Sequence, residues 1–288
     1  MELVKKLRDQ TQVGMMDCKK ALEEANGDYD KAVELLRKKG AAVAAKRAEN
    51  VTNNGRIEAF ITPDSKTGVL IESACETDFS ANTQGMQDFL HDVAAHIATS
   101  PAQNVETLLT QPLASNPKIN VKQRLDELVA KICENIKIAQ FARFSVAGHG
   151  LVHAYIHPGS TIGILVELDT DKDASSHLEA LKTAAKDVCM QIAVTNPVAI
   201  DPSGLDPALI EKERAFAREQ LQNSGKPAQV IEKIIEGKVG KFYQDACLLN
   251  QPFIKNDKLT VKQYLDEVGK QSGVTVTVKQ FKRFAIGR

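Results

Sequence analysis

The sequence predicts an α+β fold with three parts: a small N-terminal three-helix module, a duplicated unit of antiparallel sheet plus helices, and an inserted antiparallel coiled-coil hairpin. Two repeat offsets and the gap between them carry this reading. Gly55-Arg-Ile-Glu-Ala-Phe-Ile-Thr-Pro63 with Gly68-Val-Leu-Ile-Glu72 returns as Gly150-Leu-Val-His-Ala-Tyr-Ile-His-Pro158 with Gly163-Ile-Leu-Val-Glu167, an offset of 95. Asp92-Val93 and Ile97-Ala98 keep it, matching Asp187-Val188 and Ile192-Ala193. Further on, Val121-Lys-Gln123 with Leu125-Asp-Glu127 matches Val261-Lys-Gln263 with Leu265-Asp-Glu267, and Phe141-Ala-Arg-Phe144 matches Phe281-Lys-Arg-Phe284, now at an offset of 140. The second copy therefore holds an insertion of 45 residues, the difference between the offsets.

Residues 1–40 read as three short helices. Leu3, Val4 and Leu7 form one apolar stripe. Asp17-Cys-Lys-Lys-Ala-Leu22 opens a second helix, closed by Asn26-Gly27. Tyr29, Ala32, Val33, Leu35 and Leu36 line a third that ends at Lys38-Lys39-Gly40. Met15 and Met16 are expected to fill gaps between the first two helices. Residues 41–54, Ala-rich and then charged, read as a linker with some helix.

Copy one, 55–146, is expected to run strand 56–62, a turn at Pro63-Asp64, strand 68–75, helix 84–99, a short helix near 105–110, helix 121–134 and strand 137–146. Copy two, 147–205 and 246–288, repeats this as strands 151–157 and 162–168, helix 176–194, helix 260–271 and strand 274–285. The insertion, 206–245, starts at Asp206-Pro207, an N-cap followed by Pro at the first helical position. Leu209, Ile210, Phe216, Ala217 and Leu221 line its first helix, Ser224-Gly-Lys-Pro227 breaks it, and Val230, Ile231, Ile234, Ile235, Val239 and Phe242 line the return. An arm of this kind suggests a partner; the alternative is an arm folded back on its own core.

Bulk properties narrow the function. Lys plus Arg equals Asp plus Glu, which weighs against DNA or another nucleic acid as partner, since such binding rests on a basic face. No apolar run reaches the roughly 18–20 residues that span a bilayer, and Met1-Glu-Leu-Val-Lys-Lys-Leu-Arg8 has no signal-peptide core. Five cysteines without a C-x-x-C pair read as reduced thiols. The expectation is a cytoplasmic protein with no membrane association; its oligomeric state is left open.

No phosphate loop, dinucleotide fingerprint, nucleophile elbow or zincin motif occurs, so no cofactor and no catalytic residue is assigned. His149, His153 and His157 lie four apart along an expected strand, where four residues span about 13 Å, too far for neighbours to share one metal ion. His91 and His96 sit off one helix face, and Asp92 beside them forms no dyad.

One segment differs between the copies. After the second strand copy one has Glu76-Thr77-Asp78-Phe79-Ser80-Ala81-Asn82, where copy two has Asp171-Lys172-Asp173-Ala174. The shared Asp fits a cap or turn. The aromatic, found in copy one only, is either a lid over its own subdomain or an exposed anchor for a partner's pocket.

At these residues the chain resembles the bacterial elongation factor Ts family. Thr11-x-x-Gly14-Met15-Met16-Asp17-Cys18-Lys19-Lys20-Ala21-Leu22 matches one family signature and Thr77-Asp78-Phe79 with Ala81 the second. The resemblance covers the whole chain and implies a ubiquitin-associated-like N-terminal module. It also implies an exchange factor that binds elongation factor Tu in its GDP-bound or nucleotide-free form and releases GDP, with no enzyme chemistry. The loop Thr77, Asp78, Phe79, Ser80 and Ala81 is then the part that intrudes beside the nucleotide's magnesium site. Lys19, Ile132, Cys133, His157, Ile234 and Ile235 correspond to other partner contacts. Two departures stand out: the family often has Gly at the position of Cys133, and the helical C-terminal module of some members, with any grip it supplies, is not expected here. A scaffold that binds a helical peptide or RNA without affecting nucleotide is the alternative; a cofactor-free hydrolase using Asp78 is disfavoured by the lack of a nearby His.

Overall fold

The computed structural model describes residues 1–11, 13–221 and 227–287. Helices α1 (Glu2–Thr11), α2 (Met15–Glu24) and α3 (Tyr29–Arg47) pack around Leu7, Cys18, Ala32 and Leu36. Copy one follows as β1 (Asn54–Ile61), β2 (Thr67–Cys75), α4 (Asp78–Ala81), α5 (Gln84–Thr99), α6 (Val105–Thr110), β3 (Pro112–Leu113), β4 (Asn116–Asn120), α7 (Val121–Ile132) and β5 (Ile136–Ser145). The second half comprises β6 (Gly150–Ile156), β7 (Ile162–Thr170), α8 (Leu178–Thr195), α9 (Pro207–Leu221), α10 (Ala228–Ala246), β8 (Pro252–Phe253), β9 (Asn256–Thr260), α11 (Val261–Ser272) and β10 (Val276–Ala285). Helix and antiparallel sheet are thus combined, an α+β arrangement.

The two main sheets share one plan. Each is antiparallel with its middle strand flanked by the hairpin partner and by the last strand of the copy: β1-β2-β5 and β6-β7-β10. The middle strands are buried on both faces, which explains their nearly continuous apolar runs. Val69 and Ile71 of β2 meet Phe89, Val93 and Ile97 of α5, and Ile164 and Val166 of β7 meet Ala184, Val188 and Ile192 of α8. The opposite faces pack against each other. Ile57, Leu70 and Phe144 from one sheet join Val152, Leu165 and Phe284 from the other, residues related by the offsets of the repeat.

The backbone repeats this pseudo-symmetry. The Ile57 amide donates to the Ser160 carbonyl at 2.8 Å, and the Val152 amide donates to the Ser65 carbonyl at 2.8 Å. Ser65 and Ser160 both hold positive φ, 57° and 56°, to present those carbonyls. The short hairpins β3–β4 and β8–β9 were not legible in sequence, because strands of two to five residues carry too little alternation to register.

Two local readings change at the N-terminus. The third helix does not stop at Gly40 but continues through Ala41-Ala-Val-Ala-Ala45 to Arg47, since alanines are the best helix formers. Gly40 serves packing instead: a Cβ there would lie 3.3 Å from Ala130 Cβ and 3.3 Å from the Asp126 carbonyl oxygen of α7. With Arg37 paired to Glu127 at 3.1 Å, this contact docks the bundle on copy one. Met15 and Met16 do not fill the bundle; they stand 43% and 65% exposed at the start of α2, where a solvent-facing N-terminus leaves them nothing to pack on.

α9 and α10 lie antiparallel, as the ion pairs Arg214–Glu236 and Arg218–Glu232, each 3.3 Å, require. Ala217, Ile235 and Val239 form the buried seam, whereas Phe216, expected on it, is exposed. Of the expected break at 224–227, residues 224–226 lie outside the described residues. Among the described residues no helix is long and apolar enough to cross a membrane.

Candidate functional site

β2 ends at Cys75, and the chain turns at once into the single-turn helix α4. Thr77 is the N-cap: its Oγ1 accepts from the Ser80 amide at 3.2 Å. The same hydroxyl donates to Glu134 Oε1 at 2.7 Å, while the Thr77 amide donates to Glu134 Oε2 at 3.0 Å. Ser80 and Ala81 point inward, Ala81 into the copy-one core. Beyond them the Asn82 side chain donates to the Asp78 carbonyl at 2.9 Å, and Arg56 of β1 donates to Asn82 Oδ1 at 3.4 Å. The turn is pinned on both flanks, and between the pins Phe79 is 80% exposed. The lid alternative is thereby excluded: Phe79 covers nothing.

Asp78 departs from expectation. Thr77 does the capping, and the Asp78 carboxylate is exposed, with no hydrogen bond or ion pair to the described residues. In copy two the aligned Asp173 is engaged in a local turn instead, accepting from the Ser175 amide at 3.2 Å and the Ser175 hydroxyl at 2.9 Å, ahead of a helical turn with no side-chain cap. These bonds hold the Asp173 carboxyl below its ordinary range. Ala174, aligned with Phe79, is buried in the copy-two core. Its packing counterpart is therefore Ala81 rather than Phe79.

The residue before the turn is tied in as well. Glu76 Oε1 accepts from the Asn135 amide at 2.5 Å, from Asn50 Nδ2 at 3.0 Å and from Arg47 at 3.4 Å. Its carboxyl is lowered, chiefly by the Asn135 N–H, then by the Asn50 side chain and Arg47. Cys75 donates to the Thr77 carbonyl at 3.1 Å, and burial raises its thiol to about 11, with Glu134 adding to the shift. It is a structural thiol.

The structure brings some of the sequence-derived residues together. Ile132 is half-buried against the copy-one core and Cys133 is exposed at the end of α7; both immediately precede Glu134, so they border the turn. Cys133 holds a left-handed C-cap (φ 61°), where copy two has Gly273 (φ 67°), which accounts for the preference for Gly at such a place. His157 is exposed just past β6, with its Nδ1 3.2 Å from the Tyr155 hydroxyl. Its turn reaches β1 through the Ser160–Ile57 bond, next to Arg56. Lys19 is exposed on α2, paired loosely with Glu23 at 3.7 Å. Ile234 is partly buried on the arm, and Ile235 is 1% exposed within the arm's seam. As a direct contact Ile235 is therefore corrected: the antiparallel pairing consumes its side chain.

Sequence reasoning missed Glu134, Asn135 and Glu76. A signal existed for the last two: Glu76 and Asn135 correspond to Asp171 and Thr275 at the two offsets, and Asp171 Oδ1 accepts from the Thr275 amide at 2.7 Å. His149, His153 and His157 do not converge, and no group of three metal-ligating side chains occurs among the described residues. The Asp92 carboxylate accepts from Ser115 at 2.9 Å and faces no histidine partner.

A largely exposed aromatic on a turn held at both ends, above a pseudo-symmetric core, is the kind of surface feature found in proteins that act by contact with a partner. The family model described as Elongation factor TS matches residues 76–288. The chain is 40% identical over 286 residues to the elongation factor Ts of Clostridium novyi, covering 99% of this chain and 92% of that one. It is 42% identical over 284 residues to those of Trichlorobacter lovleyi (99% and 91%) and of Nitratiruptor sp. (99% and 92%). The chain belongs to the elongation factor Ts family, nucleotide exchange factors of translation elongation.

Proposed function

We propose that this protein binds GDP-loaded elongation factor Tu in the cytoplasm and speeds GDP release, with the Asp78–Phe79 turn intruding beside the partner's magnesium and phosphate groups. The observation that carries the reading is the 80% exposure of Phe79 on a turn anchored at both ends. Such a side chain enters a partner's pocket without first being freed from its own core. The free Asp78 carboxylate beside it adds a negative charge, suited to disturb a cation-dependent site.

Exchange requires a state in which factor and nucleotide are both bound and weaken each other. Linkage makes the loss reciprocal: whatever the factor removes from nucleotide affinity, the nucleotide removes from factor affinity. A thousand- to ten-thousand-fold faster release corresponds to about 4–5.5 kcal/mol. Burying one Phe contributes about 1.5–3 kcal/mol. Further contacts are needed, and Lys19 with Met15 and Met16, Ile132–Cys133, His157 and Ile234 are exposed or half-exposed positions that supply them.

The test is the release of fluorescent GDP from elongation factor Tu on adding this protein. An accelerated off-rate that saturates with factor supports the reading. An unchanged off-rate despite binding leaves the scaffold alternative in its place.

A further inference from the structure

The segment Cys133-Glu134-Asn135 reaches two parts of the molecule that are far apart in sequence. On one side Glu134 takes both the amide and the hydroxyl of Thr77, at 3.0 and 2.7 Å. On the other, the Asn135 amide group donates to the carbonyls of Ala48 and Asn50, at 3.2 and 2.7 Å. Those carbonyls belong to the chain that leaves α3 and the N-terminal bundle. Asn135 is 8% exposed, so its two donors are committed to these bonds. Cys133, the left-handed C-cap of α7, leads directly into this pair.

Copy two is an internal control. Its residues at these places are Val274 and Thr275. The backbone tie survives, with the Thr275 amide on Asp171 as the Asn135 amide is on Glu76. Thr275 Oγ1 donates to the same Asp171, at 3.3 Å, and Val274 has no polar side chain to hold the turn. The turn, its strand and its helix therefore fold without either bridging side chain. What Glu134 and Asn135 add in copy one exceeds the needs of the fold.

We propose that Glu134 and Asn135 are positioning residues: with the bonds of Arg47 and Asn50 to Glu76, they lock the N-terminal module to the Phe79 turn so that both meet the GTPase as one surface. This rests on the exchange reading above. Contact energy gathered by the module can strain the partner's nucleotide site only if the joint to the turn is stiff. With a loose joint, module and turn each settle into their own best fit and the nucleotide is less disturbed.

The experiment transplants the copy-two pair as Glu134→Val with Asn135→Thr in the full chain. GDP release from elongation factor Tu is then followed over a factor titration. The maximal rate should fall roughly five-fold or more, a size coupled contacts commonly show. The half-saturating concentration should move less than about two-fold and the melt should stay cooperative. Phe79→Ala provides the readout that a merely structural role would not move. It should cost about ten-fold in the wild-type background and about two-fold or less in the double variant, because the joint between turn and module is loosened to the bonds of Glu76. Glu134→Gln, which keeps an acceptor for Thr77, should retain most of the rate. If the double variant does not fold, Asn135→Thr alone must show the same fall in maximal rate. Wild-type acceleration with an unchanged maximal rate in the folded variants, or an equal Phe79→Ala cost in both backgrounds, overturns the positioning role alone. A wild-type protein that leaves GDP release unaccelerated overturns the exchange reading and this role with it.

Discussion

In copy one the chain leaves its middle strand through Glu76-Thr77-Asp78-Phe79-Ser80-Ala81; in copy two it leaves through Asp171-Lys172-Asp173-Ala174-Ser175. Both turns start from an acidic side chain that accepts the amide opening the last strand, Asn135 or Thr275. Both bury one alanine, Ala81 or Ala174, under the helix layer. They part company between those points. Copy two turns on Asp173, buries Ala174 at once and reaches α8 through a short 3-10 turn, Ser175–His177. Copy one caps its own helical turn with Thr77 and lifts Asp78 and Phe79 into solvent before Ala81 is buried. The fold's requirements are met by either solution, so the protruding pair is available for the partner contact proposed above.

The comparison can be broken most forcefully at its symmetric centre. A Cβ on Gly68 would lie 2.4 Å from Val152 Cγ1, and one on Gly163 would lie 2.4 Å from Ile57 Cγ2. Gly68→Ala and Gly163→Ala should each cost about 1–3 kcal/mol in urea unfolding, as overpacking does. Equal losses are expected because the two sites are mirror contacts. A large loss at one and none at the other would show that the halves do not share the interface evenly.

Phe79→Ala comes next. It should slow stimulated GDP release about ten-fold, the equivalent of roughly 1.4 kcal/mol, and leave the melting temperature unchanged, since the ring is exposed. A falling melting temperature with normal release would place Phe79 in the core and dissolve the contrast between the turns.

Cys133 sharpens the comparison further. Its left-handed backbone costs a side-chain-bearing residue about 1–2 kcal/mol, a strain that Gly273 avoids in copy two. Cys133→Gly should recover roughly 1 kcal/mol of stability in a denaturant titration. No gain would mean that the cysteine's packing offsets the strain.

The smallest effect is in acid. Glu76 and Asp171 are both lowered in the native state, each first by a backbone N–H. A lowered native value means a contribution that is complete above the ordinary carboxylate range, near 4. It is lost as pH falls through the native value. Glu76→Gln should therefore flatten part of the stability loss on acidification while leaving Asp171's share. An unaltered acid profile would show that the Glu76 tie does not depend on its charge.

The main elements were legible because their signals are local. Period-two alternation marked β1 and β6, the Phe89-Val93-Ile97 stripe marked α5, and Asp206-Pro207 marked the start of α9, where Asp206 Oδ1 accepts from the Ala208 amide at 2.9 Å. Less legible was the direction of individual side chains. Met15 and Met16, Phe216 and Ile235 all read as apolar, yet three of them face solvent and one is sealed in the arm. Apolar character states a preference for burial, and the neighbours decide which side chains receive it.

The sequence by itself determined the duplicated plan, the inserted arm and, through two motifs, the family; each of these is written in spacing or in residue identity along the chain. Tertiary structure decided where the Phe79 ring lies. Lid and outward-pointing ring have the same sequence, and the long-range bonds of Thr77 to Glu134 and of Arg56 to Asn82 help hold the turn so that the ring points outward. It also decided that α3 docks on α7 and that Asn135 ties the exit of that helix to the turn. Those contacts join residues 26 to 90 positions apart, and side chains so separated in sequence become neighbours only when sheet and helices have closed.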